Sequence, residues 1–451
     1  MGLSVLPGRG DNRETGARPV QSRCRKEQLF SMRNAATGKP GRRGNSVYSE
    51  PEYLPTFMFR VTLRATEVRK NRSGSDPAVF CVQIFRVLRH TFLFCGVWRL
   101  SGKMESVRIT EFNKTAEAGA KLRWNSIAKP LGGLGVLEDM ISRIAGMRGT
   151  PDVTLNHRTV VVMCADNGVV CEGVSQSDSS VTAAVARETA RGRSSVNLLA
   201  GQFGAEVITV DIGMCTDVDD ERILKRKAAY GTCNIAEKAA MSREQAESAV
   251  RAGIQLVQEL AQNGTDIIIT GEMGIGNTTT SAAIASVILG IPPEQAAGRG
   301  AGLDSAGLSR KTSAIKRAIA VNQPETDDPW DLLSKLGGFD IAGMTGLFLG
   351  GAGCGIPVVV DGVISAVSAC LAELIAPGCR DFMLPSHVSS EPAGRLLLQK
   401  LELSAPIDAG FHLGEGTGGV MLLPLLDGAL AVYNGAHRFD EMNMERYREL
   451  T

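Results

Sequence analysis

The feature that most constrains the fold is a series of six short, mostly apolar runs, at 159–164, 205–210, 266–270, 357–360, 381–384 and 407–413. They are rich in Val and Ile, and Ala-rich stretches with helical spacing separate them. Strands that read as continuous apolar runs, without polar alternation, are buried on both faces, as happens in a parallel sheet covered by helices. The repetition predicts an α/β domain of βα units around a mostly parallel, six-stranded sheet.

The helical stretches carry their own punctuation. Ser242 with Gln245 has the pattern of a capping box, and Asn263-Gly264 tolerates the left-handed geometry of a helix end, which predicts a helix from about 243 to 262. Further helices are expected near 181–201, 279–289, 309–321, 341–352, 363–375, 392–401 and 420–430.

This texture begins at Met104. Residues 1–103 carry about twelve more Lys and Arg than Asp and Glu, and the remainder is acidic by about eleven, although the whole chain has a formal net charge of only +1. The basic stretch lacks a sustained period and is expected to be disordered. Its composition is shared by transit peptides and nucleic-acid-binding arms, but the favoured reading is an over-called start, with Met104 the first residue. The apolar stretch 79–100 is interrupted by Arg86, Arg89, His90 and Arg99, so a membrane span is rejected. Neither nucleic acid nor membrane is expected as a partner. Ten scattered cysteines without a CxxC pair or a zinc-ligand spacing point to a reduced, cytoplasmic protein with no metal site and no cofactor.

Ligands of an open parallel sheet bind beyond the carboxyl ends of its strands, where helix N-termini present free amides. Three loops in such places are glycine-rich with an embedded acid: Ala165-Asp-Asn-Gly168, Gly271-Glu-Met-Gly-Ile-Gly-Asn-Thr278 and Leu413-Gly-Glu-Gly-Thr-Gly-Gly419. In the second, Gly274 and Gly276 allow backbone to approach a phosphate and Thr278 offers a hydroxyl, but there is no Walker Gly-Lys-Ser/Thr step. Arg299, Arg310 and Lys311 follow, and any of them can neutralise a phosphate there; Lys311 is the preferred contact, against the ordinary reading of a solvated lysine at a helix start. Glu415, between glycines after a presumed strand, is accessible to a ligand. His387 and His412 have no acid or cysteine at ligand spacing and read as structural.

Taken together, the loop at 271–279, Gly298-Arg-Gly300, Leu336-Gly-Gly-Phe-Asp-Ile-Ala342, Val360-Asp-Gly362, Ser386-His-Val-Ser-Ser-Glu-Pro392 and Leu413-Gly-Glu-Gly-Thr-Gly418 resemble, in order and spacing, the nicotinate-nucleotide:dimethylbenzimidazole phosphoribosyltransferases. The resemblance covers 105–451 and includes Lys129-Pro-Leu-Gly-Gly-Leu-Gly135. It implies a Rossmann-like three-layer domain, a small helical domain from 105–150 and 420–451, and a homodimer. It also implies Glu415 as catalytic base, Glu272 as second acid, Gly300 and Lys311 as the phosphate pocket, and Ser389 and Ser390 on the nucleotide side. Leu413 joins the substrate contacts. Ser175 and Gln176 lie in a loop that resembles the one over the benzimidazole. Asp178 stands where proline is expected, and Asn167 where the family has histidine.

The implied reaction moves the ribose phosphate of nicotinate mononucleotide onto 5,6-dimethylbenzimidazole. A pyridinium leaves as a neutral ring without a general acid. The incoming benzimidazole must lose its N–H proton, so one carboxylate is the main demand. Two other readings compete: a non-catalytic nucleotide- or benzimidazole-binding protein, and a dinucleotide-dependent oxidoreductase. The latter lacks a G-x-G-x-x-G turn after the first strand.

Overall fold

The computed structural model describes residues 107–448; the basic extension at 1–103 lies outside the described residues. Six parallel strands form one sheet: β1 (Arg158–Ala165), β2 (Ala205–Gly213), β3 (Ile223–Lys225), β4 (Ile267–Met273), β5 (Val358–Val360) and β6 (Met383–Pro385). Their order is β3-β2-β1-β4-β5-β6. Val160 to Ala165 of β1 and all of β4 are buried, as their continuous Val, Ile and Met content requires. The order reverses direction between β1 and β4, which opens a crevice beyond their carboxyl ends.

The sheet has six strands, but not the six that were expected. The run at 407–413 is irregular and joins no strand of the sheet: it meets the stretch after β6 through an isolated bridge between Ile407 and His387 and through the Ser390 N–H on the Phe411 carbonyl. Asp408 and Gly410 interrupt its apolar pattern. The sixth place is taken by β3, whose Ile-Leu-Lys is too short to show a period. The segment Cys379–Phe382 is a 3-10 turn, so β6 starts later than its apolar run.

Two expected helices are broken. The segment 181–201 is Ser180–Ala190 and Ser195–Gln202, because Ser194 with Asn197 starts a new capping box. The segment 420–430 is Thr417–Met421 and Leu423–Gly435, the second helix opening with proline in its first turn. Helix Arg243–Gln262 has the expected box, Ser242 accepting from Gln245 N. It lies backbone to backbone on helix Phe339–Cys354. A Cβ on Gly253 would sit 2.2 Å from the Gly343 carbonyl oxygen, and one on Gly346 would sit 2.1 Å from that of Val250.

Helices Lys114–Ser126 and Val136–Arg148 pack on each other, and the second also packs on Leu423–Gly435. The Trp124 and Tyr433 rings meet with centroids 4.9 Å apart, and Arg123 donates to the Tyr433 carbonyl and the Asn434 side chain. No helix among the described residues is long and apolar enough to cross a membrane.

Candidate active site

Glu272 is the penultimate residue of β4, paired in register with Met163 of β1, so the sheet itself delivers its carboxyl to the point where strand order reverses. One oxygen accepts the side-chain N–H of Asn277, the first residue of helix Asn277–Leu289. The same Asn277 nitrogen donates to Asp340 at 3.0 Å, at the start of helix Phe339–Cys354. Two buried acids thus share one amide. Burial, with Asp340 beside it, pushes the Glu272 carboxyl up to about 8. Burial pushes Asp340 up to about 6. A carboxylic acid held as Glu272 is remains neutral at pH 7 and has a proton to donate.

The Glu415 turn lies over the end of β4. Gly414, Glu415 and Gly416 have φ of 83°, 60° and 89°. For glutamate the left-handed region costs on the order of 1–3 kcal/mol and persists only where its surroundings impose it. Space for the turn comes from Gly271, where a Cβ would lie 2.5 Å from the Glu415 carbonyl oxygen. The Glu415 side chain is partly buried. Its carboxyl faces the N–H of Val196, at the start of helix Ser195–Gln202, while Oε2 is buried with no hydrogen-bond partner among the described residues. Burial raises its pKa, the Asp361 charge adds to the rise and the Val196 N–H opposes it. A carboxylate in that state is a stronger base than one in water.

Lys311 is wholly buried, contrary to the ordinary expectation for a lysine near a helix start. Its ammonium donates to Thr278 Oγ1 at 3.0 Å and to the Gly298 carbonyl at 3.1 Å, and burial lowers its pKa to about 8 against the pull of Glu391. The N–H of Gly300 donates to Glu391 Oε1 at 2.9 Å. A carboxylate therefore sits where backbone amide and ammonium converge, a position that suits an anion. Arg299 and Arg310 do not join Lys311. They donate to the carbonyls of Leu303 and Gly173, because both are exposed and reach loops on the surface.

Gly274 and Gly276 lie between Glu272 and Thr278, and their Cα positions face Asp340 and Asn167 or Val170. Both polar atoms of Asn167 are buried without a hydrogen-bond partner. Ser389 is buried near Gly362, and Ser390 is exposed, its N–H on the Phe411 carbonyl. Ser175 is partly buried, and exposed Gln176 donates to the Gly302 carbonyl, tying its loop to the 298–304 loop. Asp178 accepts the N–H of Ser180 at the start of helix Ser180–Ala190. Leu413 is exposed. None of Ser175, Gln176, Ser390 and Leu413 touches the two glutamates in the contacts above.

Both histidines fit a structural part: His387 is buried with Nδ1 2.9 Å from Ser386 Oγ, and His412 is exposed against the Gly410 carbonyl. Sequence reasoning gave no role to Asn277, Asp340, Asp361 or Glu391. The local signal for three of them was an acid or amide next to glycine or proline, in Gly276-Asn277, Asp361-Gly362 and Glu391-Pro392, while Asp340 stands between Phe339 and Ile341. Among the described residues no group of three His, Cys, Asp or Glu is placed to hold a metal ion.

Residues 109–444 match the family model described as Phosphoribosyltransferase. A nicotinate-nucleotide–dimethylbenzimidazole phosphoribosyltransferase of Acetivibrio thermocellus is 43% identical over 326 residues, which is 72% of this chain and 93% of the relative. The enzyme of the same name from Ruminiclostridium cellulolyticum is 42% identical over 342 residues, 76% of this chain and 97% of the relative. The crystal structure of CobT from Thermus thermophilus superposes with a TM-score of 0.70 at 36% identity, covering 74% of this chain and 100% of that one. With its acids and buried lysine gathered at the strand-order reversal of a six-stranded parallel sheet, the chain belongs to the nicotinate-nucleotide–dimethylbenzimidazole phosphoribosyltransferase family.

Proposed function

We propose that the protein transfers the 5-phosphoribosyl group of nicotinate mononucleotide to 5,6-dimethylbenzimidazole, releasing nicotinate and α-ribazole 5′-phosphate, in assembly of the cobalamin nucleotide loop. The observation that carries this reading is the buried acid Glu272 packed against the Glu415 turn, with buried Lys311 on Thr278, one residue past the Asn277 that holds Glu272. A benzimidazole nitrogen bonds to the anomeric carbon while the bond to nicotinate breaks and its electron pair stays on the pyridine nitrogen. The N–H proton of the base passes to Glu415, the general base. General-base catalysis contributes typically about 10²–10⁴-fold.

Glu272, neutral in the free protein, donates to a ribose hydroxyl or, once a cationic ring lowers its pKa, faces the positive charge that develops at the anomeric carbon. Lys311, Thr278 and the amide of Gly300 take the phosphate, with Gly274 and Gly276 keeping side chains out of its way. Ser389 and Ser390 line the nucleotide side, and Ser175, Gln176 and Leu413 the base side. Holding two rings at opposite faces of one carbon supplies on the order of 7–11 kcal/mol. In this reading the protein works as a cytoplasmic homodimer, with 105–150 and 420–451 forming a small helical domain.

The test is to mix the protein with nicotinate mononucleotide and dimethylbenzimidazole without added metal. Nicotinate release with formation of the α-nucleotide is expected; binding of both compounds without release sinks the reading in favour of a binding protein.

A further inference from the structure

Asp361 follows β5 and stands beside the segment 416–419, immediately after Glu415. Its Oδ1 accepts the N–H of Gly419 at 2.7 Å. Burial raises the Asp361 pKa, and His387 and the Gly419 N–H oppose that rise. The neighbouring His387 is buried, which lowers its pKa, while the Asp361 charge opposes that fall. The His387 ring also packs on Gly418, where a Cβ would come within 2.2 Å of it.

The Glu415 turn has two anchors. Its N-terminal side packs on the Glu272 carboxyl, where a Cβ on Gly414 would lie 2.6 Å from Oε1. Its C-terminal side is held by the Gly419 N–H on Asp361. A glutamate at φ 60° flanked by two glycines does not hold that conformation unaided. We propose that Asp361 is a positioning residue for Glu415: by clamping the Gly419 amide after the turn it fixes where the Glu415 carboxyl points. The proposal rests on the reading of Glu415 as the base.

The titratable groups around this clamp are few. Glu415 faces Asp361; Asp361 faces His387 at the end of β6 and Glu272 at the end of β4; Glu272 faces Asp340. Removing the Asp361 charge takes away a repulsion that raises the Glu415 pKa. The acid limb of the pH–rate profile therefore moves to lower pH even as the plateau rate falls.

The test uses full-length protein and the variants Asp361→Asn and Asp361→Ser. Amide exchange of 414–421 should accelerate at least tenfold in both, with the rest of the chain unchanged. Turnover should fall at least tenfold, the acid limb should shift to lower pH, and the Kd of nicotinate mononucleotide alone should stay within about twofold. Unchanged exchange overturns the clamp. So does a Kd that weakens in parallel with turnover, since Asp361 then serves nucleotide binding. If neither variant folds, wild-type exchange decides: the Gly419 amide must be as protected as those of β4, and free exchange overturns the proposal. A wild-type protein that releases no nicotinate defeats the transferase reading, while the exchange result still judges the clamp.

Discussion

The turn that carries Glu415 packs against the carboxyl of Glu272, so the main chain beside one acid rests on the side chain of the other. A Cβ on Gly414 would lie 2.6 Å from Glu272 Oε1, which leaves no room for the contact to slacken. Two loops far apart in sequence thereby act as one unit at the ends of β4 and β1. Displacement of either acid displaces the other.

Glu415→Gln keeps the size and the turn but removes the base. Turnover is expected to fall at least a hundredfold, on the scale of a lost general base. Nicotinate mononucleotide affinity should hold, and the thermal unfolding midpoint at pH 7 should not drop, since burial already disfavours the charge that is removed. Turnover near that of the wild type would show that Glu415 is not the base.

Glu272→Gln tests whether the buried acid is neutral. The folded pKa, about 8, lies above an unfolded value near 4.5. Below the unfolded value both states are protonated and the glutamate costs nothing. As pH rises toward 8 the unfolded chain releases the proton and the folded one keeps it, so the wild type loses stability relative to the variant. The slope is at most about 1.4 kcal/mol per pH unit. Melting curves should show the variant gaining on the wild type between pH 5 and 8 and no further gain above; a gap independent of pH means Glu272 is already ionised.

Much of this was legible in the chain, and the rest was not for physical reasons. Strands β1 and β4 were readable because strands buried on both faces must be mostly apolar, and β2, whose first half is only partly buried, was readable from its Val and Ile content. β3 was not, because three residues at a sheet edge show no period. The run at 407–413 was misread because its Ile, Phe and Leu outweighed the Asp408 and Gly410 that break its pattern. Glu272 and Glu415 stood out as acids among glycines. Asp340, Asn277 and Asp361 did not, since their roles are relations between loops that only the fold brings together. The burial of Lys311 depends on the 298–304 loop closing over it, which spacing along a helix cannot show.

Gly271→Ala probes the close approach of β4 to the Glu415 turn. The added Cβ would meet the Glu415 carbonyl oxygen at 2.5 Å and its carbon at 2.9 Å, both backbone atoms that cannot swing aside. Overpacking of this kind costs typically about 1–3 kcal/mol. The variant should therefore unfold at a lower denaturant concentration and lose at least tenfold in turnover. Wild-type kinetics in a folded variant would show that the turn tolerates displacement and that its geometry is not what sets the rate.

Lys311→Met separates phosphate recognition from the rest of the site. The ammonium now bonds Thr278 and Gly298, and a substrate phosphate would take its place beside them. Hydrogen bonds to charged groups contribute about 1.5–3 kcal/mol, so KM for nicotinate mononucleotide should rise roughly 10- to 150-fold. Nicotinate riboside, which has no phosphate, should be used no worse by the variant than by the wild type. The sign with pH follows from the buried amine, whose pKa is about 8. Above that value it is neutral and attracts a phosphate less, so wild-type KM for the nucleotide should climb as pH rises past 8. The riboside separates this effect from Glu272, which titrates in the same range but does not depend on a phosphate. An equal loss for nucleotide and riboside would place the phosphate elsewhere and leave Lys311 as a structural support for the 298–304 loop.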